Sequence, residues 1–427
     1  MNFRRVVVKI IHAADLHLDS PLVGLERYPG APVDTIRGAT RRAFRNLVAL
    51  CLETDAKLLL IAGDVYDGDW RDYSTGMFFV SELGRLRDAG CRVVVVRGNH
   101  DAASQITRHL ELPGHVRELP MARPGSVRFE DLGVVVHGQS FKDRSTVEDL
   151  ASHYPDPLSG FFNVGLLHTS LTGREGHHDY APCTVDVLRS RGYDYWALGH
   201  VHRREVVSTE PWVVFPGNLQ GRHVRETGEK GATVLELSSG RVESVTHVPL
   251  DVVRWEVCEV DGAAAANADD LVDLARSALD GAVTRAGGRA VAARVVVKGE
   301  SRAHAALVAH PDQWIAQIRL AGRDVAGDDL WVESVRFATA PVVDRARLAA
   351  RDDAVGQIVR ALSELRADEP ARASLLSIFE DLRGKLPHEV REGAFGIRLD
   401  DPSLVADALS DVEAMLLSDL SSVGDVE

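Results

Sequence analysis

The sequence predicts an α/β chain. A layered domain of buried strands flanked by helices is expected over residues 1–250, a small α+β unit over 251–340 and a helical region over 341–427. Three observations lead there. Through the first 250 residues, short apolar runs alternate with stretches of helical periodicity. From about residue 251 the rhythm becomes strand–helix–strand, on the scale of a small domain. Beyond Pro341 only helical patterns remain. A length of 427 residues, 45% hydrophobic and 26% charged, suits two or three globular domains.

The apolar runs of the first domain are VVVKIIH (6–12), KLLLIAG (57–63), RVVVVRG (92–98), GVVVHG (133–138), NVGLLH (163–168) and YDYWALG (193–199). Runs this continuous read as strands covered on both faces. Helical patterns lie at 40–54 and 74–89, and after Val206 strands follow without helices: PWVVFPG, GATVLELSS and RVESVTHVPL. The α+β unit reads as RWEVCEV, an Ala- and Asp-rich helix at 264–280, ARVVVKG, a helical stretch at 302–320 and LWVESVRF. In the last region, 344–366 and 402–420 carry apolar positions at helical spacing, among them Leu404, Ala408, Val412, Met415, Leu416 and Leu420. Such a stripe packs on its own chain or docks a partner, and periodicity alone does not choose.

Composition excludes some classes. No apolar run approaches the ~18 residues of a membrane span. Arg4 and Arg5 precede VVVKII, but Lys9 interrupts that run and no small-residue cleavage site follows, so it reads as a first strand and not a signal peptide. Cys51, Cys91, Cys183 and Cys258 lack CxxC spacing and suit the reducing cytoplasm. There is no GxxxxGK[ST] loop, so ATP hydrolysis would have to come from another chain. The net charge is −14, but residues 1–250 hold 29 Lys+Arg against 31 Asp+Glu, a net of −2, so the acidity lies mostly beyond them. Phosphate backbones attract basic surfaces, which argues against tight non-specific DNA binding by this chain alone without excluding a DNA substrate.

Five short segments sit at the carboxyl ends of the expected strands: Asp15-Leu16-His17, Gly63-Asp64-Val65-Tyr66-Asp67, Gly98-Asn99-His100-Asp101, His168 and Gly199-His200-Val201-His202. In open α/β sheets ligands collect at those ends. Strand alternation would aim Asp15 with His17, and His200 with His202, at one point. Two carboxylates, an amide oxygen and four imidazoles suit Mn²⁺, Fe²⁺ or Zn²⁺ better than Ca²⁺. A carboxylate shared by two ions would hold them ~3.5–4 Å apart for in-line phosphoryl chemistry. Each motif alone is weak; the ordered set is strong. Of the other histidines, His109, His115, His153, His304, His310 and His388 read as surface, and His12 and His137 as satisfied near strand ends. His177, His178 and His223 lie in loops and read as candidate supports for the site.

In these residues the chain resembles the calcineurin-like metallophosphoesterases, whose order of motifs, DxH, GDxxD, GNHD, H and GHxH, spans about 15–225. Within them it is most similar to the SbcD-type DNA repair exonucleases and their YhaO-like branch. The carrying segments are ADLHLDSPLVGL (14–25), GNHDAAS (98–104), HTSLTG (168–173), HDYAPC (178–183), LGHVHRRE (198–205) and FPGNLQGRH (215–223). The resemblance covers 1–250 well and the remainder only in general layout.

The resemblance implies a layered β-sandwich metallophosphoesterase core flanked by helices, with the α+β unit as a cap. It implies two divalent ions, Mn²⁺ first among candidates. Asp15, His17 and His202 would hold one, Asn99, His168 and His200 the other, and Asp64 would bridge. His100 matches the family's catalytic histidine, with Asp67 or Asp101 to orient it. Some relatives carry a histidine at the Asp67 position, so a second catalytic imidazole is absent here. The implied activity is DNA exonuclease or endonuclease cleavage beside an SbcC-like coiled-coil ATPase, with the helices of 344–420 as the place to seek that contact; a homodimer is compatible with it. Arg37, Arg41, Arg42, Arg45, Arg203, Arg204, Arg222 and Arg225 lie near the motifs and offer phosphate contacts, about half of them expected to be ordinary surface. Two alternatives stay open: the same site acting on a small phosphodiester or phosphomonoester, and a DNA-end binding scaffold, against which the intact ligand set argues.

Overall fold

A computed structural model describes residues 7–20, 30–67, 73–103, 111–172, 180–342 and 345–371, with isolated positions 374, 375, 385, 408, 409 and 412. His109, His177, His178, His388, Leu404, Met415, Leu416 and Leu420 lie outside the described residues, as does most of the expected helix at 402–420.

The elements run β1 (Val7–Ala13), α1 (Val33–Arg37), α2 (Ala39–Glu53), β2 (Leu58–Ala62), α3 (Ser74–Gly84), β3 (Arg92–Val96), α4 (Asn99–Ala103), β4 (Val116–Glu118), β5 (Gly125–Phe129), β6 (Val134–Gly138), β7 (Phe162–His168), α5 (Val185–Ser190), β8 (Tyr195–Gly199), β9 (Glu205–Thr209), β10 (Trp212–Phe215), β11 (Gly231–Ser238) and β12 (Arg241–Pro249). They continue with β13 (Val253–Asp261), α6 (Ala268–Ala286), β14 (Ala290–Ser301), α7 (His304–Ala309), α8 (Pro311–Ala326), β15 (Leu330–Pro341), α9 (Arg345–Ala349) and α10 (Ala354–Ala367).

The α/β layering expected from the apolar runs is the architecture found. One six-stranded sheet has the order β12-β11-β1-β2-β3-β4 and a second β5-β6-β7-β8-β10-β9. β1 to β4 are parallel neighbours in the first sheet, as are β6, β7, β8 and β10 in the second. The inner faces share one core: Ile10, Leu58, Leu60 and Val94 from the first sheet meet Val136, Val164, Leu166 and Tyr195 from the second. Phe44 and Leu47 of α2 and Phe79 and Leu83 of α3 cover the other face of the first sheet, and Phe141, Tyr154, Leu188 and Trp196 build a further core on the second. Burying each of these large side chains stabilises the fold by roughly 1.5–3 kcal/mol.

Some boundaries differ from expectation. The helix read over 74–89 stops at Gly84, whose missing side chain weakens helix, and Arg85 and Leu86 close tighter turns onto Glu82 and Leu83. The stretch at 302–320 is two helices, divided where Pro311 begins α8. The short strands β4, β5 and β9 carried too little apolar pattern to be seen.

A third sheet has the order β13-β14-β15. The chain clusters into two compact units, the first of Met1–Val257, Ala282–Ala293 and Asp328–Glu333 and the second of Cys258–Gly281, Arg294–Gly327 and Ser334–Glu427. The three strands and α6 are thus shared between units. In the first unit, Arg254 pairs with the buried Asp251, which also receives Arg289.

Candidate metal centre and its surroundings

Every motif residue singled out in the sequence lies at or just beyond the carboxyl end of a parallel strand. Asp15 and His17 follow β1, Asp64 and Asp67 follow β2, and Asn99 and His100 follow β3. His168 ends β7, and His200 and His202 follow β8. Both sheets therefore feed one place.

Strand alternation is not what aims the paired residues. β1 ends at Ala13 and β8 at Gly199, and Asp15, His17, Asp64 and His200 all take positive φ values of 51°, 42°, 50° and 105°. Such backbone is uncommon for residues with a side chain and gathers at functional sites. It is held by ladder-like bonds between loops: the N–H groups of Asp15, His17 and Leu18 donate to the carbonyls of Gly63, Asp64 and Val65. Gly98 is required by crowding, since a Cβ there would strike the Asp64 carboxylate and His168. Gly63, at φ 89°, would place a Cβ 2.5 Å from His168 Nδ1.

The donors form two main groups. Asp15, His17 and His202 converge in one, with His17 Nε2 and His202 Nε2 only 3.1 Å apart. Asp64, His168 and His200 converge in the other, where His168 Nε2 lies 3.5 Å from Asp64 Oδ2 and 3.0 Å from Asn99 Oδ1. Asp64 reaches both, its Oδ2 also 4.0 Å from His17 Nε2. Asp15, His17, Asp64, Asn99 and His168 are buried, whereas His100, His200 and His202 are partly open.

Supporting groups orient these side chains. His168 Nδ1 contacts the Ala62 carbonyl at 2.9 Å, and the backbone N–H of His200 donates to both Asp15 oxygens. The His100 N–H donates to Asp64 Oδ1 at 2.9 Å. His202 Nδ1 meets Glu226 Oε1 at 2.7 Å. Glu226 also receives Asn218 Nδ2 and the Arg222 guanidinium, and Arg222 extends to Asp67 Oδ2 at 3.3 Å. Asp67 Oδ1 lies 2.9 Å from His100 Nδ1. Asp101, the other residue considered for orienting His100, accepts the backbone N–H groups of Val65, Tyr66 and Gly98 and ties the loops after β2 and β3 together.

The chain matches the family model for calcineurin-like phosphoesterases over residues 8–204 and the model for the middle domain of metallophosphoesterase YhaO over 255–340. It is 35% identical over 293 residues to the Uncharacterized metallophosphoesterase YhaO of Bacillus subtilis, covering 68% of this chain and 71% of that one. The chain belongs to the calcineurin-like metallophosphoesterases, in their YhaO-like branch. It is 27% identical to the DNA double-strand break repair protein Mre11 of Methanopyrus kandleri, over 60% of each chain. It is also 22% identical to a component of the SbcCD nuclease of Escherichia coli, over 58% of this chain and 69% of that one.

The donor set of this metallophosphoesterase fits the divalent ions that its family binds. Donor atoms around an ion with bonds of ~2.0–2.2 Å stand about 3.0–3.4 Å apart; the His17–His202, His168–Asn99 and His168–Asp64 spacings lie close to that, and the His17–Asp64 spacing of 4.0 Å is wider. Burial holds His17 down at about 3 and His168 below the usual histidine range, so both are neutral at pH 7 with a lone pair to offer. Burial and the charge of Asp64 push Asp15 well above the usual carboxylate range, a penalty that a cation among the carboxylates reverses.

Sequence reading missed Glu226. It lies 24 positions after its partner His202, in the loop following GRH, and no spacing rule reaches it. Arg222 is not a free phosphate contact, because Glu226 and Asp67 clasp it. Arg41 pairs with Asp19 and Arg45 with Glu82. His12 and His137 are satisfied inside the core, as expected, through Tyr195 and Leu198 and through Ser126 and Asn163. Among the described residues no helix is long and apolar enough to cross a membrane.

Proposed function

We propose that this metallophosphoesterase hydrolyses phosphodiester bonds in DNA, with two divalent ions, Mn²⁺ first among candidates. The observation that carries the reading is His100 beside both donor groups, its Nδ1 on Asp67 and its backbone N–H on Asp64. Asp15, His17 and His202 would hold one ion, Asn99, His168 and His200 the other, and Asp64 both. When bound, the ions activate water and offset charge on the phosphoryl oxygens. Asp67, accepting at Nδ1, fixes the ring so that Nε2 is free to give a proton to the leaving oxygen. Glu226 and the Ala62 carbonyl fix the rings of His202 and His168, as second partners of ligating imidazoles do.

DNA is favoured as substrate by similarity to proteins named for double-strand break repair and for the SbcCD nuclease. A small phosphodiester or phosphomonoester is the second reading, favoured by the internal pairing of Arg41, Arg45 and Arg222 and by the charge of −14. Purified protein with Mn²⁺, offered single- and double-stranded DNA beside a chromogenic diester and monoester, separates them. Monoester turnover without cleavage of any DNA sinks the nuclease reading. We also place docking of an SbcC-like coiled-coil ATPase on the region after residue 341. Full-length chain should retain such an ATPase and a chain ending at Pro341 should not; equal retention overturns that placement.

A further inference from the structure

His17, Asp67 and His100 form a third convergent group, with one donor atom from each within 4.8 Å of the others. Asp67 Oδ1 lies 2.9 Å from His100 Nδ1 and 3.7 Å from His17 Nδ1. The His17 nitrogen is buried, and the group that faces it is the Asp67 oxygen at 3.7 Å, longer than a good hydrogen bond. The second oxygen of Asp67 is taken by Ser20 Oγ at 2.6 Å and Arg222 Nη1 at 3.3 Å, which leaves Oδ1 turned to the two imidazoles. Donor atoms around tetrahedral zinc, with bonds of ~2.0–2.1 Å, stand about 3.3 Å apart, and the two measured edges bracket that value.

We propose that His17 Nδ1, Asp67 Oδ1 and His100 Nδ1 form a third, weaker cation site that takes Zn²⁺ and inhibits the enzyme when filled. Two imidazole nitrogens and one carboxylate oxygen suit zinc, and this group lacks the further oxygen that Asp64 adds to each of the other two. The site is weaker than the other two because the Arg222 guanidinium shares the Asp67 carboxylate and the neighbouring ions repel a third. It therefore fills last. Zinc displaces the Nδ1 proton of each imidazole into solvent, so uptake releases protons. His17 would then bridge as an imidazolate, its one N–H proton given to solvent, with Nε2 in the group of Asp15 and His202 and Nδ1 on the third ion. An imidazole ligated at Nδ1 cannot be an imidazolium, so His100 loses its capacity to protonate a leaving group. The inhibition rests on the role proposed for His100 above; the binding of a third ion does not.

The full chain, stripped of metal and dialysed against excess Zn²⁺, is assayed for bound zinc by atomic absorption beside Asp67→Asn and His100→Ala. Three ions are expected in the wild type and two in each variant. Hydrolysis of a chromogenic diester should rise to the second equivalent of zinc and fall at least several-fold with the third. Two ions in all three proteins overturns the third site and leaves the two-ion reading standing. Three in all of them puts the extra ion elsewhere and also overturns it. Fewer than two in the wild type overturns both readings. Three ions bound without loss of rate overturns the inhibition.

Discussion

Glu226 Oε1 lies 2.7 Å from His202 Nδ1, and the opposite ring nitrogen of His202 faces His17 Nε2 at 3.1 Å. The carboxylate thus sets the tautomer and direction of an imidazole at the centre of one donor group. Glu226→Gln should weaken divalent-ion affinity roughly 10–100-fold, the usual cost of losing such a partner, with little change in fold. Calorimetric Mn²⁺ titration of the metal-free chain checks this; unchanged affinity would assign Glu226 to Arg222 alone.

Asp64 is the one carboxylate within reach of both groups among the described residues. Asp64→Asn keeps the shape and tolerates the φ of 50°, but removes the charge. Hydrolysis should disappear and bound metal should fall below two ions per chain by elemental analysis, with the circular dichroism spectrum preserved. Two ions retained in the variant would remove Asp64 from the bridge.

His100→Ala should retain both strongly bound ions while the rate falls by about 10²–10⁴, the share of general acid–base catalysis. Asp67→Asn should lower the rate less, because it loosens the ring without removing it. Burial opposes charge on His100, but the carboxylates of Asp67 and Asp64 together raise its pKa above the usual value. The rate limb that requires protonated His100 should therefore fall at higher pH in the wild type than in Asp67→Asn. Coincident limbs in pH profiles of kcat would separate Asp67 from the proton.

Gly98→Ala should cost metal and activity together, since its Cβ would collide with Asp64 and His168. Elemental analysis and a diester assay on the same sample test this. A fully loaded, active variant would show that the loop can shift.

His12 gives an acid-side prediction away from the metal ligands. It is buried against Tyr195 and Leu198, and burial holds its pKa at about 3. The folded chain refuses a proton that the unfolded chain accepts below pH 6.5, so the neutral ring's contribution is complete above 6.5 and is lost as pH falls toward 3. The loss runs at about 1.4 kcal/mol per pH unit. Urea titrations between pH 7 and 5 should show a slope shallower in His12→Gln, by a difference that approaches one proton toward pH 5; parallel slopes would mean that His12 takes up a proton without unfolding.

Much of the candidate site was legible in the sequence because its donors sit on adjacent loops, each announced by an apolar run. A buried parallel strand needs such a run, and its carboxyl end is where a ligand fits, so Asp15, Asp64, Asn99, His168 and His200 could be placed by position alone. Strand alternation does not account for the Asp15–His17 pair, because alternation belongs to strands and these residues stand in left-handed backbone beyond a strand end.

The sequence by itself determined the α/β layering and the order in which donors reach the sheet ends, since hydrophobic periodicity and motif spacing are local properties. Tertiary structure alone decided that Glu226 supports His202, that Asp67 and not Asp101 meets His100, and that Arg222 is enclosed by carboxylates. Those pairings join residues 24, 33, 4 and 155 positions apart through loop backbone with no periodicity of its own. Their partners are chosen by where the two sheets bring the loops, and a linear pattern carries no record of that distance.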